Sequence, residues 1–243
     1  MTLAQHPVQT WSQPAAVAPR GTLVVVPGRG EHPGVYERFG LRLAVDGYPV
    51  HAVADPVSDA GAALAAVRAA LADAPRPHVL VGSDTGALWA AGLVADDDLA
   101  VDALVLAGLP VAGVPAAAPA SWEDEVAART ACPTHQNRLT GDAALRRGAL
   151  QEPVPDGWAD RARPAAIGVP VLGLHGADDP VSPFGPARAW YADLPAGRLV
   201  RITGGRHDAL NDQTHRTAAA TVVLFLEQLR SGPELTPIAV DIR

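Results

Sequence analysis

The sequence contains no lysine. All nineteen basic residues among its 243 are arginine, set against 26 acidic residues for a formal charge of −7. Without a lysine amine, Schiff-base and pyridoxal-phosphate chemistry on the protein is excluded. The arginines are scattered, with no run longer than Arg146-Arg147. A basic surface for nucleic acid or an anionic membrane is therefore also lacking. Cysteine is nearly absent: Cys132 stands alone, which rules out an intramolecular disulfide. There is no Cys-x-x-Cys and no close ligand pair among the eight histidines, so neither a metal nor any other cofactor is implied. No apolar segment reaches the ~18 residues of a membrane span, and the opening MTLAQHPVQTW has neither the basic start nor the apolar core of a secretory signal. The expectation is a soluble cytoplasmic protein whose partner is a small molecule, and no sequence feature bears on its oligomeric state. The excess of Ala, Gly, Pro and Arg matches a GC-rich bacterial genome.

What is present is an alternation. Short Val-rich runs at 22–26, 50–53, 79–81, 103–106, 169–174 and 198–202 lie between longer stretches of helical periodicity. A strand covered on both faces needs no polar alternation, so these runs predict buried parallel strands in a doubly wound α/β sheet. Ser58-Asp59 can cap a helix with Leu64, Val67 and Leu71 on one face, and Val222, Phe225, Leu226 and Leu229 form a similar face near the end. Residues 110–165 break the rhythm, being too long for a crossover helix and rich in proline, with Trp122 and Trp158. They are expected to be a cap of two or three short helices, over a core made of 1–109 and 166–243, at the carboxyl end of the sheet. The tail after Ser231 is expected to run extended on the surface.

Four loops then fall at strand carboxyl ends: PGRGEHPGVYERF (27–39), GSDTG (82–86), HGADDPVSP (175–183) and GGRHDALND (204–212). Separately each has an ordinary explanation as a turn, a helix cap or a polar loop. In the order elbow, acid, histidine, with an insertion before the acid, the chain resembles the α/β-hydrolase superfamily, and within it the monoacylglycerol lipase and lysophospholipase-like branch. The resemblance implies an α/β-hydrolase fold, an oxyanion loop at 27–39, a nucleophile in GSDTG, an acid at Asp179 and a base at His207. Pro27 stands where that branch commonly has His.

Both Ser83 and Asp84 stand at the tip of the elbow. A nucleophile elbow is so tight that the residues two before and two after its centre must be tiny. With Asp84 central these are Gly82 and Gly86; with Ser83 central they would be Val81 and Thr85, both β-branched. Asp84 is thus the elbow residue. A carboxylate attacking an ordinary ester would form an anhydride and expel a basic alkoxide, so lipase turnover is disfavoured. Attack on a saturated carbon, at an epoxide or carbon–halogen bond, gives an alkyl ester that a His207-activated water can cleave. Asp179 would orient His207, and backbone N–H groups of Arg29 and Thr85 would hold the oxyanion. The cap has no tyrosine to protonate an opening epoxide, so His135, Glu123 or Cys132 would have to substitute. Trp122 and Trp158 offer indole donors for a halide, although aromatic residues in a short cap are more often packing anchors. Arg29's side chain has two directions open: into the site, favouring anionic substrates, or out to solvent. Three other readings stand beside the alkyl-ester hydrolase: a lyase, cyclase or isomerase with Asp84 as acid or base, a lipase-like protein with an altered nucleophile, and a ligand-binding pseudo-hydrolase.

Overall fold

The structure, a computed structural model, describes residues 8–111, 113, 118–232, 234–240 and 242. Seven strands form one sheet in the order β1-β3-β2-β4-β5-β6-β7: β1 Val8–Trp11, β2 Thr22–Val26, β3 Val50–Val53, β4 His78–Ser83, β5 Ala103–Ala107, β6 Val171–Gly176 and β7 Gly197–Ile202. All pairings are parallel except that of β1, which runs antiparallel on the edge strand side of β3. Every residue of β2, β4, β5 and β6 is buried, which is why their runs carry no polar alternation. Alternate residues feed two cores. Leu23, Val25, Val79 and Val81 face one, with helix α1 (Glu37–Val45) and helix α8 (His215–Ser231); Val24, Val26, Leu80 and Leu104 face the other, with α2 (Ala60–Leu71) and α3 (Thr85–Ala95).

The expected cap of Asp59 on α2 is present, its side chain accepting from Ala62 N–H at 2.9 Å. Strand β1 has no counterpart among the predicted runs. The expected segment 110–165, of which 112 and 114–117 lie outside the described residues, carries α4 (Trp122–Arg129), α5 (Pro133–Gly141) and the single turn α6 (Trp158–Arg161). Helix α3 is buried along its whole length, as a helix apolar on every side must be, and α6 is among the elements that cover it. Trp158 packs on Trp89 of α3, their ring centroids 6.5 Å apart. The Asp96-Asp97-Asp98 turn after α3 receives Arg161 on Asp96 and Asp98 at 2.6 and 2.7 Å and Arg163 on Asp96 at 2.8 Å. Helix α7 (Phe184–Ala192) follows β6, and after α8 the described tail is largely exposed and irregular. Among the described residues no helix is long and apolar enough to cross a membrane.

Candidate active site

Asp84 sits at the junction of β4 and α3 with φ 48° and ψ −126°. A non-glycine residue held there is strained, and the surroundings must enforce it. The two glycines explain how. A Cβ on Gly82 would lie 2.5 Å from the Ala87 Cα, and one on Gly86 would lie 2.3 Å from the Pro27 carbonyl oxygen. Backbone meets backbone at both points, so no side chain could give way. Ser83 is buried next to Tyr36 rather than standing at the tip.

Two further loops reach Asp84. His207, after β7, places Nε2 3.2 Å from Asp84 Oδ1 and Nδ1 2.9 Å from Asp179 Oδ2. The other Asp179 oxygen accepts the Val181 and Ser182 N–H groups at 2.8 and 2.9 Å, fixing the carboxylate after β6. Gly108, at φ +56°, admits the histidine: a Cβ there would come within 2.6 Å of the His207 carbonyl. Nε2 lies outside hydrogen-bond geometry toward Asp84 and has no other acceptor among the described residues, so a buried ring nitrogen is left beside Asp84.

Arg29 resolves its two open directions by turning inward. Its backbone N–H donates to Asp84 Oδ2 at 3.0 Å, its Nε to the same oxygen at 2.8 Å and its Nη2 to Oδ1 at 2.9 Å, while Nη1 donates to the Glu152 carbonyl. Burial alone would push the Asp84 carboxyl up, but the Arg29 guanidinium, joined by His207, holds it well below the usual carboxylate range. Burial likewise works against a charged His207, yet Asp179 and then Asp84 raise it to about 10. These contacts favour the carboxylate form of Asp84 and the imidazolium form of His207 beside the Arg29 guanidinium, and all three groups are nearly inaccessible.

The loop after β2 is built from beneath by groups that sequence reasoning missed. Glu31 Oε2 accepts the Gly28 N–H at 3.0 Å and the Tyr36 hydroxyl, and Asp55 accepts the Gly30 N–H at 2.9 Å. Fully buried Arg129 of α4 reaches Glu31 at 3.1 Å, Glu125 at 2.9 Å and the Arg29 carbonyl at 3.0 Å. Burial, with Asp208 nearby, lifts Glu31 to about 7 despite Arg129. The i,i+4 spacing of Glu125 and Arg129 was the available signal, but nothing in it indicates that the pair is interior.

A cavity of about 220 Å³ borders Arg29, walled by Val111, Leu150, Val154, Val181 and other mostly apolar residues. The structure brings Asp84, His207, Asp179, Arg29 and the first residue of α3, Thr85, together. It does not bring Trp122, His135 or Trp158 to that cavity. Trp122 packs on the core with the Arg147 guanidinium 5.1 Å above its ring; His135 is buried 3.4 Å from Asp208; Trp158 lies on α3. Of the other acids considered, Glu123 is exposed and Cys132 is buried beside Arg38 at 3.6 Å. A larger cavity of about 410 Å³ lies at the other end of the sheet, by Arg76 and Asp102 ahead of β4 and β5, away from these groups. Among the described residues no group of three His, Cys, Asp or Glu side chains could hold a metal ion.

No protein-family model and no curated protein sequence matches the chain. Solved structures do. A monoacylglycerol lipase from Paleococcus ferrophilus superposes with a TM-score of 0.73 at 20% identity, over 92% of this chain and 98% of that one. The fold is that of the α/β-hydrolases. A soluble variant of monoglyceride lipase from Saccharomyces cerevisiae gives 0.73 at 13% identity, over 91% of each chain. Proline iminopeptidase of Mycobacterium smegmatis gives 0.64 at 17%, over 92% of this chain and 95% of that one. At such identities the likeness establishes the architecture, and the α/β-hydrolase frame here carries aspartate at its elbow.

Proposed function

We propose that the protein is a hydrolase that opens a saturated carbon electrophile through an alkyl ester on Asp84, with residues 110–165 as the cap that selects a small substrate. One observation carries this reading: Asp84 Oδ2 already rests on the Arg29 backbone N–H, while Oδ1 lies 3.2 Å from His207 Nε2. One oxygen is thus held as an ester carbonyl would be, and the other is the attacking atom. Oδ1 bonds to the carbon, and the carbon–oxygen bond of an epoxide breaks. The leaving oxygen takes the proton from His207 Nε2, which answers the lack of a cap tyrosine. Neutral His207 next removes a proton from water as that water attacks the ester carbonyl. The charge gathers on Oδ2, on the N–H groups of Arg29 and Thr85, a term worth about 2.7–4 kcal/mol per donor. Collapse releases the diol oxygen, which takes the proton back from His207, and the new Asp84 acid re-protonates the ring. Epoxide plus water gives diol, with every proton accounted for. A halide leaves without a proton and would strand the imidazolium at the water step, so the raised His207 favours the epoxide.

A second reading has its own support. Arg29 occupies both Asp84 oxygens, as suits a permanent anion in a lyase, cyclase or isomerase where His207 is the acid. Labelled water separates the two. Single turnover of an epoxide in H₂¹⁸O places ¹⁸O in the Asp84 carboxylate if the ester forms, and acid quenching of the wild-type protein during that turnover captures the adduct on the Asp84 peptide. Turnover with neither label nor adduct would leave the non-covalent reading standing.

A further inference from the structure

With Arg29 where it stands, Asp84 is a blunted nucleophile: the oxygen that faces His207 is also bonded to Arg29 Nη2, and the other takes Nε and the backbone N–H. Drawing the guanidinium away would release it. Arg29 also forms part of the wall of the 220 Å³ cavity. The only other charged residue among its described lining is Glu152, whose carboxylate is directed to Arg146. A guanidinium carries five N–H donors. Three are engaged, by the two Asp84 oxygens and the Glu152 carbonyl, leaving two, one on each terminal nitrogen, with no partner among the described residues.

We propose that the substrate carries a carboxylate, that Arg29 binds it, and that this exchange of one carboxylate for another frees Asp84 Oδ1 to attack the carbon beside it. The inference rests on the reading of Asp84 as nucleophile. A neutral substrate offers the guanidinium nothing in return and would leave a buried cation unpaired. A carboxylate can dock on the two spare N–H donors and, as the guanidinium turns toward it, take over the Nη2 bond that now holds Asp84 Oδ1. The Arg29 backbone N–H stays on Asp84 Oδ2, so an acid seated on the guanidinium keeps its α or β carbon near the nucleophile, as in a short 2,3-epoxy acid. Binding and activation become one event, and neutral epoxides that diffuse into the cavity meet a masked carboxylate.

Calorimetric titration of the wild-type protein with isobutyrate and with isobutyramide, its neutral isostere, tests the first half. Isobutyrate should bind at least about tenfold more tightly, and Arg29→Gln should erase the difference; Arg29→Lys, which keeps the charge without the fork, should weaken isobutyrate yet keep it ahead. Equal binding of the two probes to the wild type, or isobutyrate binding that survives Arg29→Gln, overturns the proposal. For the second half, 2,3-epoxybutanoate should exceed its amide in kcat/KM by about 10²-fold. Labelling of Asp84 by the amide as fast as by the acid sinks this inference and leaves the nucleophile intact. Selective carboxylate binding with no label on Asp84 sinks the nucleophile and, with it, the unmasking step.

Discussion

At the scale of single residues, Asp84 is defined by what surrounds it. Its backbone is strained and its charge is shared among a guanidinium, a main-chain N–H and an imidazolium. Asparagine is the informative replacement, because Asn also tolerates positive φ and keeps the size of the side chain. Asp84→Asn should lower turnover by about 10⁴-fold or more, since an amide neither attacks carbon nor balances His207. It should also destabilise the fold by about 3–5 kcal/mol, because Arg29 is then buried without its counter-ion. Urea denaturation and steady-state kinetics on one preparation check both. A variant as stable as the wild type would mean that the Arg29 pair contributes nothing to the fold. The elbow was legible from sequence because Gly82 and Gly86 answer a purely local requirement. The direction of Arg29 was not: it is decided by a partner 55 residues away and by a loop whose backbone path no periodicity records.

At the scale of elements, the strands were readable where burial on both faces removes alternation, as in β2, β4, β5 and β6. Strand β1 escaped because VQTW is short and only its Trp11 is buried, so its place depends on antiparallel pairing with β3 rather than on its own pattern. The link between α4 and the loop after β2 was equally hidden, since Arg129 and Glu31 are 98 residues apart. That link carries the next prediction. Arg129 holds Glu31, Glu125 and the carbonyl of Arg29 at once, and the His207 and Asp208 N–H groups donate to the carbonyls of Ala128 and Arg129. The end of α4 therefore positions both the loop after β2 and the loop that carries His207. Arg129→Leu should cost about 3–5 kcal/mol by leaving two buried carboxylates without their cation, and kcat should fall while the protein stays folded. Retained kcat in a destabilised protein would confine Arg129 to structure; unchanged stability would remove it from both roles.

At the scale of the whole molecule, the buried charges set how stability responds to pH. Asp84 is held well below its ordinary value, so its contribution is present above the unfolded carboxylate pKa, about 3.8, and is lost as pH falls through the lower folded value. Glu31 and His207 have the opposite sign. Glu31 is raised from 4.5 to about 7 and His207 from 6.5 to about 10. Each contributes fully below its unfolded value and loses that contribution as pH rises through the folded one. The two sets of groups leave a maximum at about pH 4 to 4.5, followed by a decline of several kcal/mol that continues to about pH 10. Urea midpoints measured from pH 4 to 10 should trace that curve. His207→Gln should lose the limb between pH 7 and 10 while keeping the Glu31 slope between about 4.5 and 7. If wild-type and variant curves run parallel above pH 7, His207 is not charged in the folded protein, and the acid that protonates the opening epoxide must be sought elsewhere.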